Sequence, residues 1–165
     1  MNQQEPTVPT SVSARLVRLG LDLPASSPPV LAGYSPLFVP FRRSGDQIHV
    51  SGRLAKRDGR VLVGKVGGDV SLADAQEAAR GTALELVSVL RDAVADLETI
   101  RLVKLLVFVN GAPDFLHPHQ VADAASARLI DIFSDRGAHA RSAVSVAQCP
   151  FGACLEIELL AEVQI

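Results

Sequence analysis

Apolar positions along the chain follow two periods. From Ala75 they step by fours and threes through Ala79, Thr82, Leu86, Leu90, Ala93 and Leu97, the stripe of a buried helical face. Ser71, with Asp74 three residues on, starts that helix as a weak capping box. A second helix starts at Pro118 and stops near Gly137, with Val121, Ala125, Leu129 and Ile132 on its inner stripe. Between the helices, residues 102–109 are apolar except for Lys104 and rich in Val and Leu, which predicts a central strand. Alternation with period two marks the remaining strands. Residues 38–42, a Ser44-Gly45-Asp46 turn and residues 47–52 read as a hairpin, and a third short strand over 60–63 follows Asp58-Gly59. Residues 139–146 and 155–163, broken by Pro150 and Gly152, predict a closing hairpin.

The order strands, helix, strand, helix, two strands gives an α+β class: a sheet with two helices on one face. Ahead of it, residues 1–10 are polar and Pro-containing and are expected to be disordered. Ser11 caps a short helix that Gly20 ends, and residues 23–29 form a Pro-rich linker. Residues 1–33 are therefore an extension strapped onto one domain, residues 34–165. At 165 residues one domain is the sensible count; with 48% hydrophobic residues, 4% aromatic and no Trp, its core is built from Val, Leu, Ile and Ala. Such richness suits a chain that buries surface against copies of itself.

Charge narrows the function classes. A net charge of −2 and a pI near 6.1 offer no general attraction to phosphate backbones, so no nucleic-acid partner is expected. No membrane partner and no secretory signal are read from the sequence, which makes the cytoplasm the expected compartment. There Cys149 and Cys154 are expected to be small buried hydrophobes rather than a disulfide. No Cys/His spacing suggests zinc, and residues 64–68 lack the Lys-Ser/Thr ending of a phosphate loop. His117 and His119 flank a helix start and fit capping or solvent exposure, and no Ser-His-Asp order stands out.

The chemistry with most promise lies in the last two strands. Arg141 opens one, followed on its own face by Ala143, Ser145 and Ala147, while Glu156 sits among aliphatics in the other. A fixed guanidinium above small side chains is a receptor for a small carboxylate, which its planar fork binds through two parallel hydrogen bonds. If Cys149 pairs opposite Cys154, Arg141 shares a face with Glu156, Glu158 and Glu162, yet stands roughly 20 Å from Glu156. A register with Ala143 opposite Glu156 brings the two closer, and a bulge at Gly152 would change the count. The sequence leaves these registers open.

Taken together, Ile48-His49-Val50-Ser51-Gly52, Val107-Phe108-Val109 before Ala112-Pro113-Asp114-Phe115, and Ala140-Arg141-Ser142-Ala143-Val144 with Leu155-Glu156-Ile157-Glu158 resemble the Rid family of reactive intermediate deaminases, also called YjgF. The resemblance covers residues 34–165, and the N-terminal extension and Gly64-Lys65-Val66-Gly67 resemble a divergent branch. It implies a chorismate-mutase-like mixed sheet of about six strands, assembled as a homotrimer with clefts between subunits. It further implies hydrolysis of 2-imino and enamino acids to 2-keto acids and ammonia, with no metal or organic cofactor. Residue by residue, Arg141 matches the carboxylate-binding arginine and Glu156 the glutamate that positions water. Ala143 matches the residue whose backbone N–H touches the ligand, and Ser51 and Gly52 match the cleft wall. Two positions depart from the pattern: Phe38 replaces a frequent Tyr of the binding site, and His139 stands where Pro is common. The competing readings are a non-catalytic carboxylate-binding trimer and, against the acidic pI, an endoribonuclease.

Overall fold

The computed structural model describes residues 11–26 and 34–164. The stretch 1–10 expected to be disordered, and the linker residues from 27 on, lie outside the described residues. In chain order the elements are α1 (Val12–Leu19), β1 (Phe41–Ser44), β2 (Gln47–Leu54), β3 (Lys56–Arg57), β4 (Arg60–Val61), α2 (Leu72–Ala93), β5 (Ile100–Asn110), α3 (Pro118–Phe133), β6 (Ala140–Val146) and β7 (Leu155–Val163). Five strands form one mixed sheet in the order β1-β2-β7-β5-β6, and β3 with β4 form a separate two-stranded ladder. Helices α2 and α3 pack together over one face of the sheet.

Local signals act where the sequence places them. Ser71 Oγ accepts the Asp74 N–H at 3.1 Å to cap α2, whose stripe from Ala75 to Leu90 is buried. Leu97 falls beyond the helix, in a short 3-10 turn. Ser11 caps α1 in the same way, and Gly20 ends it at φ 63, a left-handed conformation that glycine adopts without Cβ strain. Val12 is fully buried in the main core, and Leu16, Leu19, Leu21 and Leu23 pack against that core. Glu98 accepts the Val12 N–H and pairs with Arg136, so one carboxylate joins the extension to the 3-10 turn that follows α3. The first hairpin begins at Phe41 rather than residue 38. Pro40 precedes it without an N–H to donate, and Phe38 lies in the bend before it.

The closing hairpin does not form. β6 and β7 never pair; β5 stands between them, parallel to β6 and antiparallel to β7. Neither register considered for the hairpin exists, since Cys149 and Cys154 both lie within the eight-residue connection 147–154 rather than flanking a tight turn. Burial explains the choice. Leu155, Ile157, Leu159 and Ala161 of β7 are all buried between β2 and β5. Each of the three larger side chains gains about 1.5–3 kcal/mol from full burial. β6 offers no comparable row and takes the edge. Because a parallel pair needs a long crossover, α3 carries the chain from β5 to β6.

Candidate active site: two halves on one sheet

Glu156 stands on the sheet face away from the helices. It is level with Phe108 of β5 and Leu54 of β2, and its carboxylate lies over Gly52. A depression of about 280 Å³ opens there, lined by Phe108, Val146, Gln148, Cys149, Glu156 and Glu158 among others. Burial, reinforced by the Glu158 charge, pushes the Glu156 carboxyl above the usual carboxylate range. Ser51 and Gly52 sit at the irregularity of β2 between Val50 and Arg53, where Ser51 Oγ donates to the Val39 carbonyl at 2.7 Å. Gly52 leaves room for the acid: a Cβ there would lie 1.9 Å from Glu156 Oε1 and 2.8 Å from its Cδ. Gly52→Ala is thus expected to swing the Glu156 side chain aside. Only the tip of a flexible chain must move, so the thermal midpoint should stay nearly constant while any Glu156-dependent activity falls; equal activity in the two proteins would refute this placement.

Arg141 belongs to the other face. It is level with the buried Leu105 and reaches α3, where Nη1 donates to Ser126 Oγ at 3.0 Å and Nη2 pairs with Asp123 Oδ1 at 2.8 Å. Its side chain is 24% exposed and Asp123 is 63% exposed. Beside it a depression of about 410 Å³ is lined by Ser126, Ile130, Ala138, His139 and Arg141. Ala143, level with Val107, follows on the same side and packs against the core. The shared face expected for Arg141 and Glu156 is therefore overturned. Three residues along and two strands across put their Cα atoms roughly 14 Å apart, with side chains on opposite faces.

The comparisons with known proteins match this architecture. Residues 25–163 match the family model described as Endoribonuclease L-PSP. The chain belongs to this family, the YjgF/Rid family. Protein TCP17 of Trypanosoma cruzi is 43% identical over 154 residues, covering 92% of this chain and 93% of that one. A crystal structure of an Agrobacterium tumefaciens protein of unknown function aligns with a TM-score of 0.80 at 35% identity, covering 93% of this chain and 92% of that one. Escherichia coli TdcF, solved with bound serine, shares the Rid fold at a TM-score of 0.57 and 22% identity, over 81% of this chain and 92% of that one.

Within this Rid protein the sequence-derived site residues thus fall into two groups: Ser51, Gly52 and Glu156 on one side, Arg141 and Ala143 on the other. Phe38 joins neither group and is exposed. Three further residues bear on these two groups: Ser126, which nothing in the sequence marks, His139, marked there only as a departure from the family pattern, and Lys65, marked only as part of a glycine-containing stretch. Ser126 and His139 meet at 3.0 Å beside Arg141, a contact between helix and strand that no short motif announces. Lys65, in the glycine-containing loop, donates to Asn110 Oδ1 at 2.6 Å, to the Ala147 carbonyl at 2.8 Å and to Gln148 Oε1 at 3.3 Å, fixing the segment ahead of Cys149. That loop thereby ties residues 147–148 to the end of β5. Both cysteines are free and buried; burial above all pushes each thiol up to about 11, so they stay protonated and inert. Among the described residues no group of His, Cys, Asp and Glu is arranged to hold a metal ion, and no helix is long and apolar enough to cross a membrane.

Proposed function

We propose that this Rid-family protein hydrolyses reactive 2-imino and enamino acids to 2-keto acids and ammonia in a cleft between copies of the chain. Arg141 of one copy holds the substrate carboxylate, and Glu156 of the next places the attacking water. The observation that carries this reading is the half-buried guanidinium at the edge strand, beside an open depression with a serine and an alanine at its rim. Among the described residues its charge is met by one exposed aspartate, and such pairs contribute about 0–1 kcal/mol, so a substrate carboxylate competes well for the fork. The division of the site into two faces supports assembly, because a second copy can bring the Glu156 side against the Arg141 edge. The helix-free face also keeps Val144 47% exposed beside Phe108, an apolar surface suited to self-association as a homotrimer. TdcF, which shares the fold, was solved with serine, itself a small carboxylate-bearing molecule.

A 2-imino acid is already electrophilic, and anchoring it beside an oriented water supplies most of what hydrolysis needs. Freshly generated 2-imino acid should release ammonia faster with this protein than in buffer; equal rates would end the proposal.

Glu156 carries a second expectation. Its folded-state pKa is raised, so the folded protein holds that proton more tightly than the unfolded chain, and stability falls as pH rises through this range. Near neutral pH the ionised carboxylate is thus destabilising. Glu156→Gln should raise the thermal midpoint there, lose that gain below the ordinary carboxylate range, and still turn over imine more slowly. A lower midpoint at neutral pH would contradict the stated environment.

A further inference from the structure

His139, two residues before Arg141, has one ring nitrogen fixed by the fold. Nδ1 lies 2.6 Å from the Gly137 carbonyl oxygen, which only accepts, so Nδ1 carries the proton. In the neutral ring Nε2 is then a lone pair, 3.0 Å from Ser126 Oγ, and the serine hydroxyl donates to it. Arg141 Nη1 donates to the same oxygen at 3.0 Å. Ser126 therefore points its proton at an imidazole while a guanidinium N–H supports its oxygen, and all three side chains line one depression of about 410 Å³. A hydroxyl held between a base and a cation, with the base oriented by a third group, is arranged to pass a proton.

We infer that Ser126 and His139 form a proton relay beside Arg141, taking up the proton that water releases as it adds to the C=N bond of an anchored 2-imino acid. The relay rests on the imine-hydrolysis reading above and adds to it the group that accepts the proton. The water oxygen bonds to the imine carbon, and the C=N pair moves onto the iminium nitrogen. One water proton passes to Ser126 Oγ as the Ser126 proton passes to His139 Nε2. Returned through Ser126 to the amine nitrogen, that proton makes ammonia the leaving group. The C–N pair departs with it, a C=O bond forms from the hydroxyl oxygen, and the hydroxyl proton leaves on ammonia as ammonium. Iminium and water become ketone and ammonium, with no redox partner. Glu156 of the neighbouring copy retains the placing of the water.

Burial holds the His139 imidazole below the ordinary histidine range; the bond to Gly137 opposes this and the Arg141 charge adds to it. Arg141 comes from β6, and its own charge is met by Asp123 of α3, the helix that also supplies Ser126. The ring is therefore neutral near neutral pH, as a proton acceptor must be.

His139→Gln and Ser126→Ala are each expected to lower kcat for freshly generated 2-imino acid by about 100-fold, the usual scale of general-base catalysis, with a much smaller change in KM. The wild-type rate should fall off on the acid side below about 6.5, the ordinary histidine value, and His139→Gln should lose that limb. Nitrogen-15 spectra of the wild-type histidines should show His139 as the Nδ1–H tautomer, a readout that needs no variant to fold. Variants within threefold of wild type that keep the acid limb, or an Nε2–H tautomer, would overturn the relay alone. A wild-type protein without imine turnover would overturn the relay and the function together, so the two failures are distinguishable.

Discussion

Arg141→Ala is expected to lower kcat/KM for 2-imino acids by at least about 100-fold, the lower bound for two lost hydrogen bonds to a charged group at ~1.5–3 kcal/mol each. Arg141→Lys should recover little of it, since an ammonium keeps the charge but not the planar fork. The loss is separable from unfolding. The Asp123 partner is largely exposed, so the ion pair contributes about 0–1 kcal/mol and the thermal midpoint should barely move. Steady-state kinetics with freshly generated imine, beside a thermal melt, checks both statements. A variant within threefold of wild type would remove Arg141 from the site.

The second large effect lies in the backbone that orients His139. Gly137 ends the 3-10 turn Ser134–Gly137, which folds back on α3. A Cβ at this position would stand 2.7 Å from the Leu129 carbonyl oxygen and 2.9 Å from Ile130 Cα. These are main-chain atoms of a helix, and no side chain can yield to make room. Gly137→Ala is expected to destabilise the protein by about 3 kcal/mol, at the upper end for overpacking. For a chain of this size the midpoint would drop by roughly 6–12 °C. Gly81 provides the contrast, exposed on α2 with nothing within 4 Å of its would-be Cβ. Gly81→Ala should stabilise by about 0.5–1 kcal/mol through helix propensity alone. Similar melts for the two variants would refute the close approach at Gly137.

Which of these features could be read along the chain depends on the range of the forces involved. The Ser11 and Ser71 caps, the Gly20 stop and the α2 stripe are decided within a few residues, and the structure has them where the pattern puts them. β7 was legible as a strand but not as the neighbour of β2 and β5. Alternation fixes which side chains share a face within one strand and says nothing about the next strand across. The connection before β7 also hides its geometry: Phe151 at φ 55 and Gly152 at φ 69 turn the chain without a two-residue hairpin signature. Arg141 and Glu156 were legible as candidates through family resemblance. Their opposite faces follow from the α3 crossover, and the Ser126–His139 contact follows from how α3 lies against β6; both are tertiary facts.

A copy of the chain with Arg141→Ala lacks one half of the proposed site, and a copy with Glu156→Gln lacks the other. In a closed ring of mixed copies, some interfaces join the intact arginine of one protomer to the intact glutamate of the next. Co-assembling the two weakly active variants in equal amounts should therefore restore roughly a quarter of wild-type imine hydrolysis, the share of such interfaces in a randomly mixed trimer. Activity no higher than the mean of the separate variants would contradict a site completed by a second copy.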